Sequence, residues 1–135
     1  MRRFLDTNVL IYADDLDAGV KRETARGILE ESLSSGDGVL STQVLQEFYV
    51  ISIGKLGVEP ALARRKMELL AQMDLVHIDL ELILAAVDLH RLHSFSFWDA
   101  LIVRAAAVAG CGVLLTEDLQ HDRVVAGVRI ENPFR

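Results

Sequence analysis

Four acidic residues stand where an acid is hard to account for by solvation alone. Asp6 sits between apolar runs in "RFLDTNVL", Glu47 follows "VLQ", Asp99 lies within "FWDALIV", and Asp118 closes "LLTED". Each has an ordinary reading. Asp6 suits an N-cap or a turn, Asp118 suits the opening of a short helical turn, and Ser96 with Asp99 three residues later has the spacing of a capping box. Glu47 is different, because three residues past Val44 and just before Phe48 it borders a buried stripe. The decisive point is collective. Two like charges about 4 Å apart repel by roughly 4 kcal/mol at an effective dielectric near 20, so a cluster of four carboxylates stays ionised only with help. A hard divalent cation supplies that help. Oxygen ligands without a His or Cys cluster favour Mg²⁺ or Mn²⁺ over zinc.

The elements that must position these acids follow from the hydrophobic pattern. Short β-branched and apolar runs alternate with longer helical patterns, which argues for a parallel sheet covered by helices. The expected strands are Arg3 to Asp6, Val39 to Ser41, Leu75 to Ile78, Val113 to Thr116 and Val128 to Glu131. Leu82, Ala86, Leu89 and His93 recur at helical spacing, as do Val44, Phe48 and Ile51, so each segment is a helix with one buried face. Pro60 suits the first turn of another helix running to Met73. Lys21 to Leu33 forms a further one. Phe97 to Ala109 is apolar almost all round and reads as a central, covered helix. In open α/β sheets the ligand crevice lies beyond the carboxyl ends of the strands. Asp6 and Asp118 arrive at that edge from the first and fourth strands, Glu47 from the helix after the second, and Asp99 from the first turn of the central helix.

The bulk composition sets the frame. The chain has 135 residues, 51% hydrophobic and 25% charged, with two prolines, no low-complexity stretch and no solenoid-period repeat, which reads as one globular domain over residues 1–135. The single cysteine, Cys111, cannot close an intramolecular disulfide, and a reducing, cytoplasmic setting is expected. Asp6, Asn8 and Asp14 break up any apolar stretch behind Arg2 and Arg3, so no signal peptide is expected. The apolar tract Ala100 to Leu115 contains Arg104 and falls short of the roughly 20 residues that span a bilayer. The net charge of -6 argues against a protein that coats nucleic acid electrostatically, yet leaves a local site open.

The motifs "FLDTNVLIY", "VLQEF", "FWDALIV" and "LLTEDL", in this order and at this separation, resemble the PIN-domain nucleases. The closing "VRIENPF" and the compact length are similar to the VapC-type toxin branch of that family. The resemblance runs over essentially the whole chain. It implies a three-layer α/β/α fold with a central parallel sheet of about five short strands. It also implies a metal-dependent endoribonuclease in which Asp6, Glu47, Asp99 and Asp118 hold Mg²⁺ or Mn²⁺. Thr116 matches a small hydroxyl position near the metal, and Asn8 is a supporting partner of Asp6. The resemblance further implies an RNA substrate, a homodimer and a small antitoxin that blocks the acidic groove. No nucleophilic side chain is then required.

Other residues carry weaker signals. Asp122 reads as an exposed turn residue, with a supplementary acid as its alternative role. Lys21, Arg22 and Arg26, and the run Arg64-Arg65-Lys66, read as solvated helix faces before they read as phosphate contacts. Trp98 reads as a packing or subunit-contact residue, with base stacking as the alternative. His93 reads as a hydrogen-bonded, partly buried residue, and His77, His90 and His121 have no ligand-spaced partner. Two rival functions stay open. A haloacid-dehalogenase-like phosphatase also ends its first strand on an acid, but wants a second Asp where this chain has Asn8. A catalytically inert binding module would use the acids only as helix caps, and predicts no metal dependence. Neither G-x-G-x-x-G nor G-x-x-x-x-G-K-[ST] is present.

Overall fold

The computed structural model describes residues 1–135. Along the chain the elements are β1 (Arg3–Leu5), α1 (Thr7–Asp14), α2 (Val20–Ser35), β2 (Gly38–Ser41), α3 (Thr42–Gly54), α4 (Pro60–Leu70), β3 (Asp74–Val76), α5 (Leu80–Leu92), α6 (Phe97–Val108), β4 (Val113–Leu115), β5 (Val124–Val125) and β6 (Val128–Glu131). The strands form one sheet in the order β3-β2-β1-β4-β6-β5. Every neighbouring pair is parallel except β5 with β6, which is antiparallel. The fold is therefore α/β with a mostly parallel sheet flanked by helices, as the alternation of patterns predicts.

The central strands β1, β2 and β4 are almost wholly buried, while the outer ones are partly exposed. Phe4, Leu5, Val39, Leu40, Val113, Leu114, Leu115 and Ile130 are all in the core. Near-continuous apolar runs are what a parallel sheet covered on its faces requires. The helices fall into two packing groups. α1 packs on α2 and α3, and α3 on α4; α5 packs on α6, which lies against β2, β4 and β6. Helix starts are fixed locally. Ser41 Oγ accepts from the Val44 amide at 3.3 Å, Asp79 Oδ1 from the Leu82 amide at 2.9 Å, and Ser96 Oγ from the Asp99 amide at 3.0 Å. Pro60 opens α4, where its missing N–H removes no helical bond.

All five expected strands are present, one short strand is added and some bounds shift. The sheet has six strands rather than about five, because the two-residue β5 adds an antiparallel edge. The third strand is Asp74–Val76 and not Leu75 to Ile78. The first strand ends at Leu5, and Asp6 is already the N-cap of a helix, α1, that the apolar pattern does not separate from the strand. No helix of the chain is long and apolar enough to cross a membrane.

The strand order places the site. β1 lies between β2 and β4, so the chain leaves β1 in opposite directions across the sheet, and the crevice of such a sheet opens beyond the carboxyl ends at that reversal. Asp6 follows β1 directly and Thr116 follows β4 directly. The Asp6 amide donates to the Leu115 carbonyl at 3.0 Å and the Thr116 amide to the Glu131 carbonyl at 3.0 Å, which holds the two strand exits side by side.

Candidate active site

At this reversal lies a cavity of about 800 Å³ whose walls include Asp6, Glu47, Asp99 and Asp118. The four predicted acids come from α1's cap, α3, α6 and the loop after β4, and the fold brings all of them to one cavity. Asp6 is buried, Glu47 and Asp99 are half-buried, and Asp118 is exposed. As they stand, no three His, Cys, Asp or Glu side chains are grouped closely enough to hold a metal ion. The carboxylates are instead engaged in separate hydrogen bonds.

Thr116 organises the deepest part. Its side chain is fully buried, and its hydroxyl donates to Asp6 Oδ2 at 2.7 Å while accepting from the Asp118 amide at 3.1 Å. The other Asp6 oxygen accepts from the Thr7 amide at 2.7 Å. Asn8 Nδ2 donates to Asp118 Oδ2 at 3.2 Å and to Thr116 Oγ1 at 3.3 Å. Asn8 thus partners Asp118 and Thr116 rather than Asp6, a correction to the sequence reading. Glu47 accepts from Thr7 Oγ1 at 2.6 Å and from Gln43 Nε2 at 3.2 Å. Thr7 and Gln43 escape the sequence reading, although Gln43 stands one helical turn before Glu47, a spacing at which side chains meet.

The electrostatics confirm how close these groups are. Burial pushes the Asp6 carboxyl up to about 7 from its ordinary 3.8; the hydrogen bonds from Thr116 and Thr7 oppose this, and the charges of Asp118 and Glu47 add to it. Burial likewise raises the Asp99 carboxyl against the lowering effect of Ser96, with Asp118 and Glu47 contributing. A carboxyl raised by burial and faced by further acids is a site short of positive charge.

The donor set tests what would supply that charge. No His or Cys lines the cavity, and all of its ligating groups are oxygens or amides. Two further oxygens in its lining, Asn8 Oδ1 and Gln43 Oε1, are buried without a hydrogen-bond donor. Carboxylates with orphaned amide oxygens fit a hard cation of the Mg²⁺ or Mn²⁺ kind.

At the rim, Glu117 accepts from Tyr12 Oη and from Lys21 Nζ, the latter at 3.0 Å, and Lys21 lies 5.0 Å from the Tyr12 ring centroid. Burial acts against the Glu117 charge, yet the Tyr12 and Lys21 bonds hold its carboxyl below the ordinary range. Lys55 also lines the cavity and has no ion-pair partner.

The remaining sequence candidates lie elsewhere or differ. Asp122 occupies a left-handed turn at φ 67° and pairs with Arg129 at 3.4 Å, away from the cavity. Arg64 and Arg65 pair with Glu68, and Lys66 with Asp14 at 2.9 Å, so this run is an ion-paired helix face. Trp98 is not a core residue: it is 62% exposed and lines the cavity. His93 lies just past α5, stacked on Phe95 and in contact with Arg123 at 3.1 Å.

Comparison with known proteins agrees with this architecture. The VapC20 toxin of Mycobacterium tuberculosis, described as cleaving the sarcin-ricin loop, superposes with a TM-score of 0.64 at 20% identity, over 83% of this chain and 86% of that one. A toxin-antitoxin complex from Klebsiella pneumoniae gives 0.69 at 20% identity, over 98% of each chain. VapBC2 from Rickettsia felis, bound to a promoter DNA fragment, gives 0.70 at 19% identity, over 98% of each chain. At these identities the likeness establishes a shared fold. No curated protein sequence matches the chain significantly. The PIN domain family model matches residues 3–127 of the 135, and the chain belongs to the PIN domain family.

Proposed function

We propose that the chain is a divalent-metal-dependent endoribonuclease, the toxin of a toxin-antitoxin pair, acting on RNA in the cytoplasm. One observation carries the reading: four carboxylates from four separate segments line a single cavity at the sheet's topological reversal, where burial first and the neighbouring acids second raise Asp6 and Asp99. Asp6, Glu47, Asp99 and Asp118 would hold Mg²⁺ or Mn²⁺. When bound, such an ion polarises a phosphate oxygen, acidifies water and offsets charge in the transition state. The chain's own residues do the rest. Thr116 and Thr7 fix the orientation of Asp6, and Thr7 with Gln43 fixes that of Glu47. Asp99 stands in the cavity wall, and one of the four acids would also take the proton of the attacking water. Lys55 provides the cavity's cationic wall, where a phosphate backbone can lie.

The fold shared with structures described as toxin-antitoxin complexes supports an antitoxin as protein partner, and a homodimer is what the family resemblance implies. The inert-module reading accounts for Asp6 as the cap of α1 and for the lack of a ready-made ligand group, but not for four acids lining one cavity. The phosphatase reading loses its second Asp to Asn8, which hydrogen-bonds Asp118.

The test is direct. Wild type and Asp6→Asn are incubated with mixed RNA in Mg²⁺, in Mn²⁺ and in chelator. Cleavage is expected only from wild type with metal, and Asp6→Asn should lose at least about 100-fold, since it removes a charged group acting on the reacting centre. Equal cleavage by the variant, or cleavage in chelator, overturns the proposal.

A further inference from the structure

We propose that Trp98 is the nucleobase platform of this cavity: a base next to the scissile phosphate stacks on its exposed indole. The inference rests on the ribonuclease reading above and specifies what part of the RNA the cavity grips beyond its phosphates. α6 is almost wholly interior, with Ala100, Leu101, Ile102, Val103, Ala105 and Ala106 all buried, yet its second residue is a tryptophan left 62% exposed. That exposure falls in the wall that carries Asp99, Glu47, Asp6 and Asp118.

The indole has one aromatic neighbour, and the backbone that carries it is tied to the site. It packs edge-on against Phe97, with ring centroids 5.2 Å apart and planes at 74°. The Trp98 carbonyl accepts from Gln43 Nε2 at 3.3 Å, and the same amide nitrogen donates to Glu47 Oε2 at 3.2 Å. Gln43 therefore ties the backbone beneath the indole to one of the carboxylates. A flat, accessible aromatic surface carried on backbone tied to the acids suits a stacking platform, because every base has a π-face and stacking tolerates any sequence.

The rest of the lining agrees in chemistry. Ile11, Val50, Ile51 and Ile102 give the acidic cavity an apolar wall. A phosphodiester group alone has no surface to bury there; a nucleotide has both an anionic end and an apolar, polarisable face. The carboxylates match the first once a cation is present, and Trp98 matches the second.

Trp98 is the chain's only tryptophan, so its emission reports on this position alone. The full-length Asp6→Asn chain, chosen because it leaves RNA intact, is titrated with end-labelled single-stranded RNA and with an abasic oligomer of equal length. Mg²⁺ is raised until a control Mn²⁺ or Mg²⁺ titration shows the variant's weakened cation site filled. Label anisotropy reads binding and tryptophan emission reads stacking. Emission should be quenched in step with anisotropy for RNA, and should stay unchanged while anisotropy rises for the abasic oligomer. Adding Trp98→Ala should weaken RNA binding by roughly 5- to 100-fold and leave the abasic oligomer's affinity as it was, while Trp98→Phe keeps most of the RNA affinity. Rising anisotropy with unchanged emission leaves the ribonuclease reading standing and removes Trp98 from it. Emission that follows protein concentration rather than RNA, with Trp98→Ala altering only the oligomeric state, makes the indole a subunit contact and overturns the platform. No anisotropy rise for RNA at any salt concentration removes both readings.

Discussion

At the residue scale, Asp6 does three jobs that pull its ionisation in different directions. It caps α1, anchors Thr116 and faces the other acids, and burial outweighs its hydrogen bonds so that its carboxyl titrates near about 7. In the unfolded chain the group releases its proton near 3.8. Between these values the folded state binds more protons than the unfolded one, so this residue's contribution to stability falls as pH rises from about 4 to about 7 and then stays low. Asparagine caps a helix as well as aspartate does and does not titrate. In chelator, Asp6→Asn should therefore gain on wild type by up to a few kcal/mol between pH 5 and pH 8, measured by denaturant unfolding of both chains. A difference independent of pH would mean that Asp6 is not held in this environment. Divalent metal should cancel the gain, because it favours the ionised wild-type carboxylate.

At the scale of elements, the site depends on how closely α2 and the sheet meet. Gly38 opens β2, and a Cβ there would lie 2.8 Å from Ser32 Cβ on α2 and 2.9 Å from Met73 Sδ. The methionine end can swing aside, but Ser32 Cβ is fixed to the helix backbone. Gly38→Ala should cost about 1–3 kcal/mol of overpacking, read as a lower denaturation midpoint with an unchanged slope. An unshifted midpoint would show that α2 is free to move off the sheet. The elements also show where sequence patterns run out. The main helices and five of the strands are legible because their apolar spacing and caps agree. α1 is not, because Asp6 caps the helix directly after the strand ends at Leu5, leaving no turn signal between them. β5 is two residues long, too short for any period to register. The all-apolar look of α6 suggests that Trp98 is interior, and only the placement of α3 beside its first turn leaves the indole in the cavity.

At the scale of the molecule, the convergence of the acids follows from topology more than from any single motif. Alternating patterns imply a parallel sheet, the sheet implies a crevice at its carboxyl edge, and the four acids sit at positions that reach it. What the sequence does not reveal is the hydrogen-bond frame around them. Thr7 with Glu47 and Thr116 with Asp6 are 40 and 110 residues apart, and no local spacing announces such pairs. That frame holds the carboxylates in one cavity while keeping them from a ready-made ligand group, so cation binding is the step on which the whole account turns. Calorimetric titration of Mn²⁺ into the wild-type chain and into Asp6→Asn, Glu47→Gln, Asp99→Asn and Asp118→Asn tests it most directly. The account predicts saturable binding to wild type that weakens at least about 10-fold in each variant. Wild type that takes up no Mn²⁺ at millimolar concentration, or variants that bind it as tightly as wild type does, would contradict it.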